Sequence, residues 1–300
     1  MKSNLKQLFC LMFFLLIFLS FSSCSKDNNE TNVKPKEVLP ITFKDIEPYV
    51  SLHGDTNSDI VIINIQGGPI LYLEEKGLDS YIKGSDTENV LYVNVHQTQT
   101  LTPFLFAKKI SLEDAEKYTQ KSVDILKKVM DYYLFETNKS VYFLGISYGA
   151  FLLQELIRQY RTPYVSGCLV IGARLKIDNK ALEILSNGLI PKYSFDSKGK
   201  FSIDVLVEES KESDVVLYNM AMLGYVVAKH DYTESLAFIE TLSKTTFIYG
   251  ERDNFIGPLS KKELDFLNKR KANVICALMG NHRFTIHKSL LSIKDVFKIE

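Results

Sequence analysis

Ser147, Asp253 and His282 are the residues with which this chain could break an acyl bond. Ser147 is the centre of Gly145-Ile146-Ser147-Tyr148-Gly149, a G-x-S-x-G spacing between the apolar run Val141–Leu144 and the apolar stretch Ala150–Gln159. A strand that turns sharply into a helix holds its serine on a strained backbone, and flanking glycines leave room for the turn. The serine oxygen then stands at a helix N-terminus, where the backbone dipole favours developing negative charge. A serine hydroxyl needs a base, and the base needs an orienting acid. Asp253 follows a short β-like run, Thr246–Tyr249, and the turn residue Gly250; His282 follows Val274–Met279 and Gly280. Order along the chain and position after a strand therefore agree for all three. Glu251 is the alternative acid and His287 the alternative base, although His287 falls within the following helical pattern.

The same chemistry needs N–H donors aimed at the oxyanion. Tyr148, directly after the serine, supplies one from its backbone. Gln66-Gly67-Gly68-Pro69, after the run Ile60–Ile65, supplies the other from Gly68 or Gly67, because glycine lets the backbone approach a substrate closely. No metal or organic cofactor is required.

These residues must be positioned by a sheet. Ile60–Ile65, Val90–Val95, Val141–Leu144, Val165–Ile171, Thr246–Tyr249 and Val274–Leu278 are short runs, apolar on both faces, as expected for central parallel strands. Helical patterns alternate with them. Leu112, Ala115, Thr119, Val123, Leu126, Met130 and Tyr133 form one stripe behind an N-cap at Ser111 with Asp114 three residues on. Ala150–Gln159 predicts a helix buried against the sheet. Ser260–Lys269 and two later patterns, around Phe284 and over Leu290–Phe297, add more, and the cations Lys269, Arg270 and Lys271 close the first of them. The expected fold class is α/β, with a mostly parallel central sheet covered on both faces. Residues 175–242 carry no central strand and show helical patterns around Leu182 and Met222, which predicts a mainly helical inserted cap. The core is then 39–174 and 243–300.

Composition narrows the function classes. Lys plus Arg equals Asp plus Glu at 36 each, so no basic excess exists to bind nucleic acid. Cys168 and Cys276 fall in different β-like runs with a strand expected between them, which predicts two buried thiols and no disulfide. Neither has metal-site spacing.

The N-terminus reads as a secretion signal over 1–23. Lys2 and Lys6 precede an apolar run from Leu8 to Leu19, too short to span a bilayer stably, and small residues Ser20, Ser22 and Ser23 lead to Cys24. Residues 24–38, polar and Asn-rich, read as a flexible tether. Phe21-Ser22-Ser23-Cys24 resembles the lipobox of bacterial lipoproteins, and the following polar, acidic stretch resembles the tether of those from Bacteroidetes. That resemblance implies lipid attachment at Cys24 and an outer-membrane protein on the periplasmic face or the cell surface. A plain cleaved signal and a soluble periplasmic protein is the alternative.

From about Ile41 to the C-terminus, the strand followed by Gln66-Gly67-Gly68-Pro69, then Gly145–Gly149, Gly250–Asp253 and Gly280–His282, together resemble the α/β-hydrolase superfamily. Within it, Gln66–Pro69 is similar to the His-Gly-Gly-Pro of the prolyl iminopeptidase branch, with Gln66 in place of histidine. Where that branch has Asp-Gln-Arg-Gly-x-Gly, this chain reads Asn94, Val95, His96, Gln97, Thr98 and Gln99. The resemblance implies a serine hydrolase acting through an acyl-enzyme: an aminopeptidase on short peptides, a carboxylesterase, or a catalytically silent binding lipoprotein that keeps the fold.

Overall fold

A computed structural model describes residues 40–74, 89–206 and 214–299. Pro40–Glu300 is one compact unit. The second unit, Met1–Leu39, lies outside the described residues, and with it the expected signal, tether and Cys24.

Among the described residues the strands are β1 (Val50–Gly54), β2 (Ile60–Ile65), β3 (Leu91–Val95), β4 (Ser140–Ile146), β5 (Gly167–Ile171), β6 (Pro191–Phe195), β7 (Phe201–Val205), β8 (Thr245–Gly250) and β9 (Asn273–Ala277). Seven of them form one sheet in the order β1-β3-β2-β4-β5-β8-β9. β1 pairs antiparallel with β3, and every other neighbouring pair in this sheet is parallel. From β2 the chain moves to one side to form β3 and then crosses to the other side to form β4. The loops leaving β2 and β4 therefore diverge at a topological switch, where open α/β sheets bind ligands beyond the strand ends.

The helices of eight residues or more are α1 (Leu112–Asp131), α2 (Tyr148–Tyr160), α3 (Asn179–Ser186), α4 (Asp214–Ala228), α5 (Lys261–Lys269) and α6 (His282–Leu290). Ser111 caps α1 by accepting from the Asp114 N–H at 3.0 Å. Helices cover both faces of the sheet, because β-strand side chains alternate. Val61, Ile63 and Ile65 face Val123, Leu126, Leu152 and Leu156; Ile62, Leu144 and Leu169 face Leu290, Ile293 and Phe297. Two polar residues lie near the C-terminal ends of β2 and β3. Asn64 and Asn94 are register partners, and Asn64 Nδ2 donates to Asn94 Oδ1 at 2.9 Å.

Four expectations change. β1 is an additional, half-buried edge strand whose mixed sequence Val50–Gly54 gives no continuous apolar run. β9, expected to be central, is the other edge, and it alternates exposed and half-buried residues. Cys276 on it is consequently half-buried, whereas Cys168 on β5 is buried; both thiols are free, with β8 between their strands. Residues 175–242 contain α3 and α4 as their patterns predict, and also an antiparallel β6–β7 hairpin that the patterns did not predict. The hairpin signal was a period-two alternation, with Pro191 and Tyr193 buried and Lys192 and Ser194 exposed. Its turn is held by Asp196, whose carboxylate accepts from the Lys198 and Lys200 amides, with Gly199 at φ +80°.

A buried ion pair fixes the point where the chain leaves β5. Arg174 Nη2 donates to Glu263 Oε2 at 2.9 Å, with both side chains at 5% exposure or less. Glu263 also accepts from the amides of Leu175 (2.8 Å), Lys176 (3.0 Å) and Ser260 (2.8 Å). Removing one partner strands a buried charge and several donors. Glu263→Ala is expected to lower unfolding free energy by about 3–5 kcal/mol, read from urea denaturation; a loss under about 1 kcal/mol contradicts this account.

Candidate active site

Ser147 stands between β4 and α2 at φ +51°, ψ −116°, a conformation that costs a non-glycine residue on the order of 1–3 kcal/mol. Its N–H donates to the Ile171 carbonyl at 2.8 Å, which ties the turn to the end of β5. The flanking glycines are required sterically. A Cβ at Gly145 would lie 2.8 Å from Ala150 Cα, and one at Gly149 would lie 2.1 Å from the Ile65 carbonyl oxygen.

The structure brings the three expected residues together. His282 Nε2 is 2.9 Å from Ser147 Oγ, and His282 Nδ1 is 2.6 Å from Asp253 Oδ2. Asp253 is 1% exposed, and its other oxygen accepts from the amides of Phe255 (3.0 Å) and Ile256 (2.9 Å). That arrangement holds the carboxylate in one orientation. It can fix the ring so that Nδ1 carries the hydrogen and Nε2 faces the serine as an acceptor. His282, expected on a loop, is the first residue of α6, with Asn281 as N-cap. Glu251 is turned elsewhere and accepts from the Met279 amide at 2.8 Å. His287 lies further along α6, and the contacts to Ser147 and Asp253 belong to His282.

Gly172, at the end of β5, was not singled out in the sequence. It has φ +63°, and a Cβ there would lie 3.0 Å from His282 Cε1. Its lack of a side chain is what admits the imidazole. A glycine directly after an apolar strand was the available signal, and it is a common one.

Of the two candidate oxyanion glycines, Gly67 is the one against the nucleophile: a Cβ on it would lie 3.4 Å from Ser147 Cβ. Gly68 has φ +129° and turns the loop away, since a Cβ there would meet the Ile70 nitrogen at 2.4 Å. Tyr148 is the first residue of α2, so its N–H belongs to the set without an acceptor inside the helix. The Gln66 side chain braces the same loop. Its Nε2 donates to the Tyr72 carbonyl at 2.9 Å, and its Oε1 accepts from the Glu74 amide at 2.7 Å.

Beside Ser147 opens a cavity of about 590 Å³. Its walls are mostly apolar and include Phe151 of α2 together with Ile177, Leu185, Ile190, Met220 and Val227 of segment 175–242. The hairpin of that segment rests on the acid loop: the Tyr193 N–H donates to the Asn254 carbonyl at 2.8 Å, and a Cβ on Gly257 would lie 2.6 Å from the Tyr193 ring.

The position of Gly172 gives a direct test. Gly172→Ala should displace the imidazole and slow reaction of Ser147 with a fluorophosphonate by about 10²-fold, measured as a second-order labelling rate. An unchanged rate contradicts the assigned role of the glycine.

No protein-family model matches the sequence, and no curated protein matches it. Similarity appears among solved structures. An α/β-hydrolase enzyme, MGS-M2, from a Medee basin deep-sea metagenome library is 16% identical, with a TM-score of 0.51 over 84% of this chain and 94% of that one. A highly thermostable carboxyl esterase from Bacillus coagulans is 12% identical, with a TM-score of 0.51 over 83% and 94%. Est1E from Butyrivibrio proteoclasticus, solved with ferulic acid, is 11% identical, with a TM-score of 0.50 over 84% and 95%. At such identities the likeness concerns the fold alone. Strand order, the serine on its strand-to-helix turn and these neighbours agree: this chain has the α/β-hydrolase fold.

Proposed function

We propose that the protein is a serine hydrolase that cleaves esters with an apolar acyl group through an acyl-enzyme. The observation that carries this reading is the continuous hydrogen-bonded line from Ser147 Oγ through His282 to Asp253. Ser147 Oγ attacks the ester carbonyl carbon as its proton passes to His282 Nε2. The carbonyl oxygen becomes an oxyanion held by the Tyr148 and Gly67 N–H groups. Collapse breaks the C–O bond, and the imidazolium protonates the leaving alcohol. His282 then takes a proton from water, whose oxygen attacks the acyl-enzyme, and the acid is released with Ser147 restored. Asp253 keeps its charge throughout and stabilises the imidazolium.

The walls of the cavity bear on the substrate class. An aminopeptidase must hold an α-ammonium group, which calls for a carboxylate in the pocket. Among the described lining residues of segment 175–242 there is no acidic side chain, and aliphatic groups predominate. These walls favour an apolar acyl chain. An aminopeptidase on short peptides is the second reading, favoured by the Gln66–Pro69 loop and by Glu74, an exposed carboxylate at the cavity edge. Anchoring of the domain to the outer membrane by lipid at Cys24 is part of the same proposal and rests on the sequence.

p-Nitrophenyl esters of two to eight acyl carbons should be hydrolysed best at intermediate length, and proline arylamides at least about 10²-fold more slowly, as expected where a buried ammonium lacks its counter-charge. Faster arylamide cleavage would establish the aminopeptidase reading. Ser147→Ala should abolish turnover and fluorophosphonate labelling, whereas equal labelling of both proteins would leave the fold as a silent binder. Incorporation of radiolabelled palmitate that survives Cys24→Ala would refute the anchor.

A further inference from the structure

We propose that Gln97 is a positioning residue that sets the direction of the Gly67 N–H, the second oxyanion donor. The proposal rests on the serine hydrolase reading above. Gln97 Nε2 donates to the Gln66 carbonyl oxygen at 2.9 Å. That oxygen and the Gly67 nitrogen belong to one peptide unit, which is trans. In a trans peptide the C=O and N–H point to opposite sides of a rigid plane. Holding the oxygen therefore aims the hydrogen. On one side the Gln66 oxygen lies over the first turn of α2, where a Cβ on Gly149 would come within 2.4 Å of it. On the other end of the unit, Gly67 packs against Ser147.

The clamp has its own support. The Gln97 side chain could in principle turn its amide over and present its oxygen to Gln66, which would repel the carbonyl. Gln99 Nε2 donates to Gln97 Oε1, which adds to the preference set by the Gln66 carbonyl and leaves Nε2 of Gln97 for the loop. Gln97 and Gln99 are each 1% exposed, so no bulk water replaces these bonds. Below them, Thr98 is fastened to α1 by its N–H to Ser122 Oγ at 2.9 Å and by its hydroxyl to the Tyr118 carbonyl at 2.8 Å. Two departures from the iminopeptidase pattern thus fall in one network, since Gln97 and Gln99 stand where it has two glycines. Glycines in those places could carry no amide side chain, so the clamp belongs to this chain's version of the site.

The test uses Gln97→Glu, which keeps the shape and loses the donor, and Gln99→Leu, which frees the Gln97 amide to turn over. Each is compared with wild type by kcat and KM on p-nitrophenyl hexanoate, by affinity for an alkyl trifluoromethyl ketone that forms a hemiketal on Ser147, and by melting temperature. A misdirected oxyanion donor lowers kcat and ketone affinity together, for Gln97→Glu by about 10²-fold, with KM within about twofold. Gln99→Leu should move both in the same direction by a smaller factor. If Gln97→Glu does not fold, the split in Gln99→Leu decides. Folded variants that retain kcat and ketone affinity, or that change KM alone, overturn the proposal. A wild type that neither turns over ester nor labels at Ser147 overturns the hydrolase reading first, and this proposal with it.

Discussion

The first turn of α2 approaches the end of β2 so closely that only glycine fits at position 149, against the carbonyl oxygens of Ile65 and Gln66. The rest of the site depends on this approach. It brings a helix N-terminus, Ser147 and the Gln66–Gly67 peptide close to each other. The parallel pairing of β2 with β4 sets the distance, since Ile65 lies opposite Gly145 in register. A one-residue slip of that register would turn the side chains of β2 to the opposite face and carry the end of the strand away from Gly149. Sheet register and reactive geometry are therefore one constraint.

Much of this was legible in the residues. Mostly apolar runs marked β2, β3, β4, β5 and β8, because strands buried on both faces leave few polar positions to confuse the pattern. The glycine spacing around Ser147 was legible because a sharp turn restricts residue type through hard contacts. Asp253 and His282 were found by order and by strand context, and neither is distinctive alone. What escaped were features whose signal is shared with ordinary sequence. β1 lies on a sheet edge, half-buried with no apolar run to mark it, and for β9 the strand was legible but its place at the other edge was not. The β6–β7 hairpin is stabilised by pairing within itself and by Tyr193 resting on Gly257, a contact from a distant part of the chain. The choice of Gly67 over Gly68 depends on how the loop turns in space, and spacing carries no information on that. Gln97 and Gln99 looked like departures from a pattern, and their meaning lies in a hydrogen bond to a residue about thirty positions earlier.

Buried polar groups are distributed unevenly through the molecule, and their placement has a logic. The apolar layers beneath the sheet contain few, whereas amide side chains gather where β2 and β3 end. Apolar packing tolerates small displacements, since dispersion is weakly directional. Hydrogen bonds between amides do not, and a planar group with two defined directions fixes a rotation as well as a distance. Amides concentrated at one end of the sheet give rigidity where orientation matters and leave the interior to simple space-filling.

The bond from Tyr193 to Asn254 joins the hairpin that helps to wall the cavity with the loop that presents Asp253. Inserted segments on such folds are often regarded as exchangeable modules. Here segment 175–242 and the loop carrying Asp253 share a backbone contact, so a shift of the cavity wall is transmitted to that loop. A segment grafted in its place would need to reproduce that seam as well as the pocket.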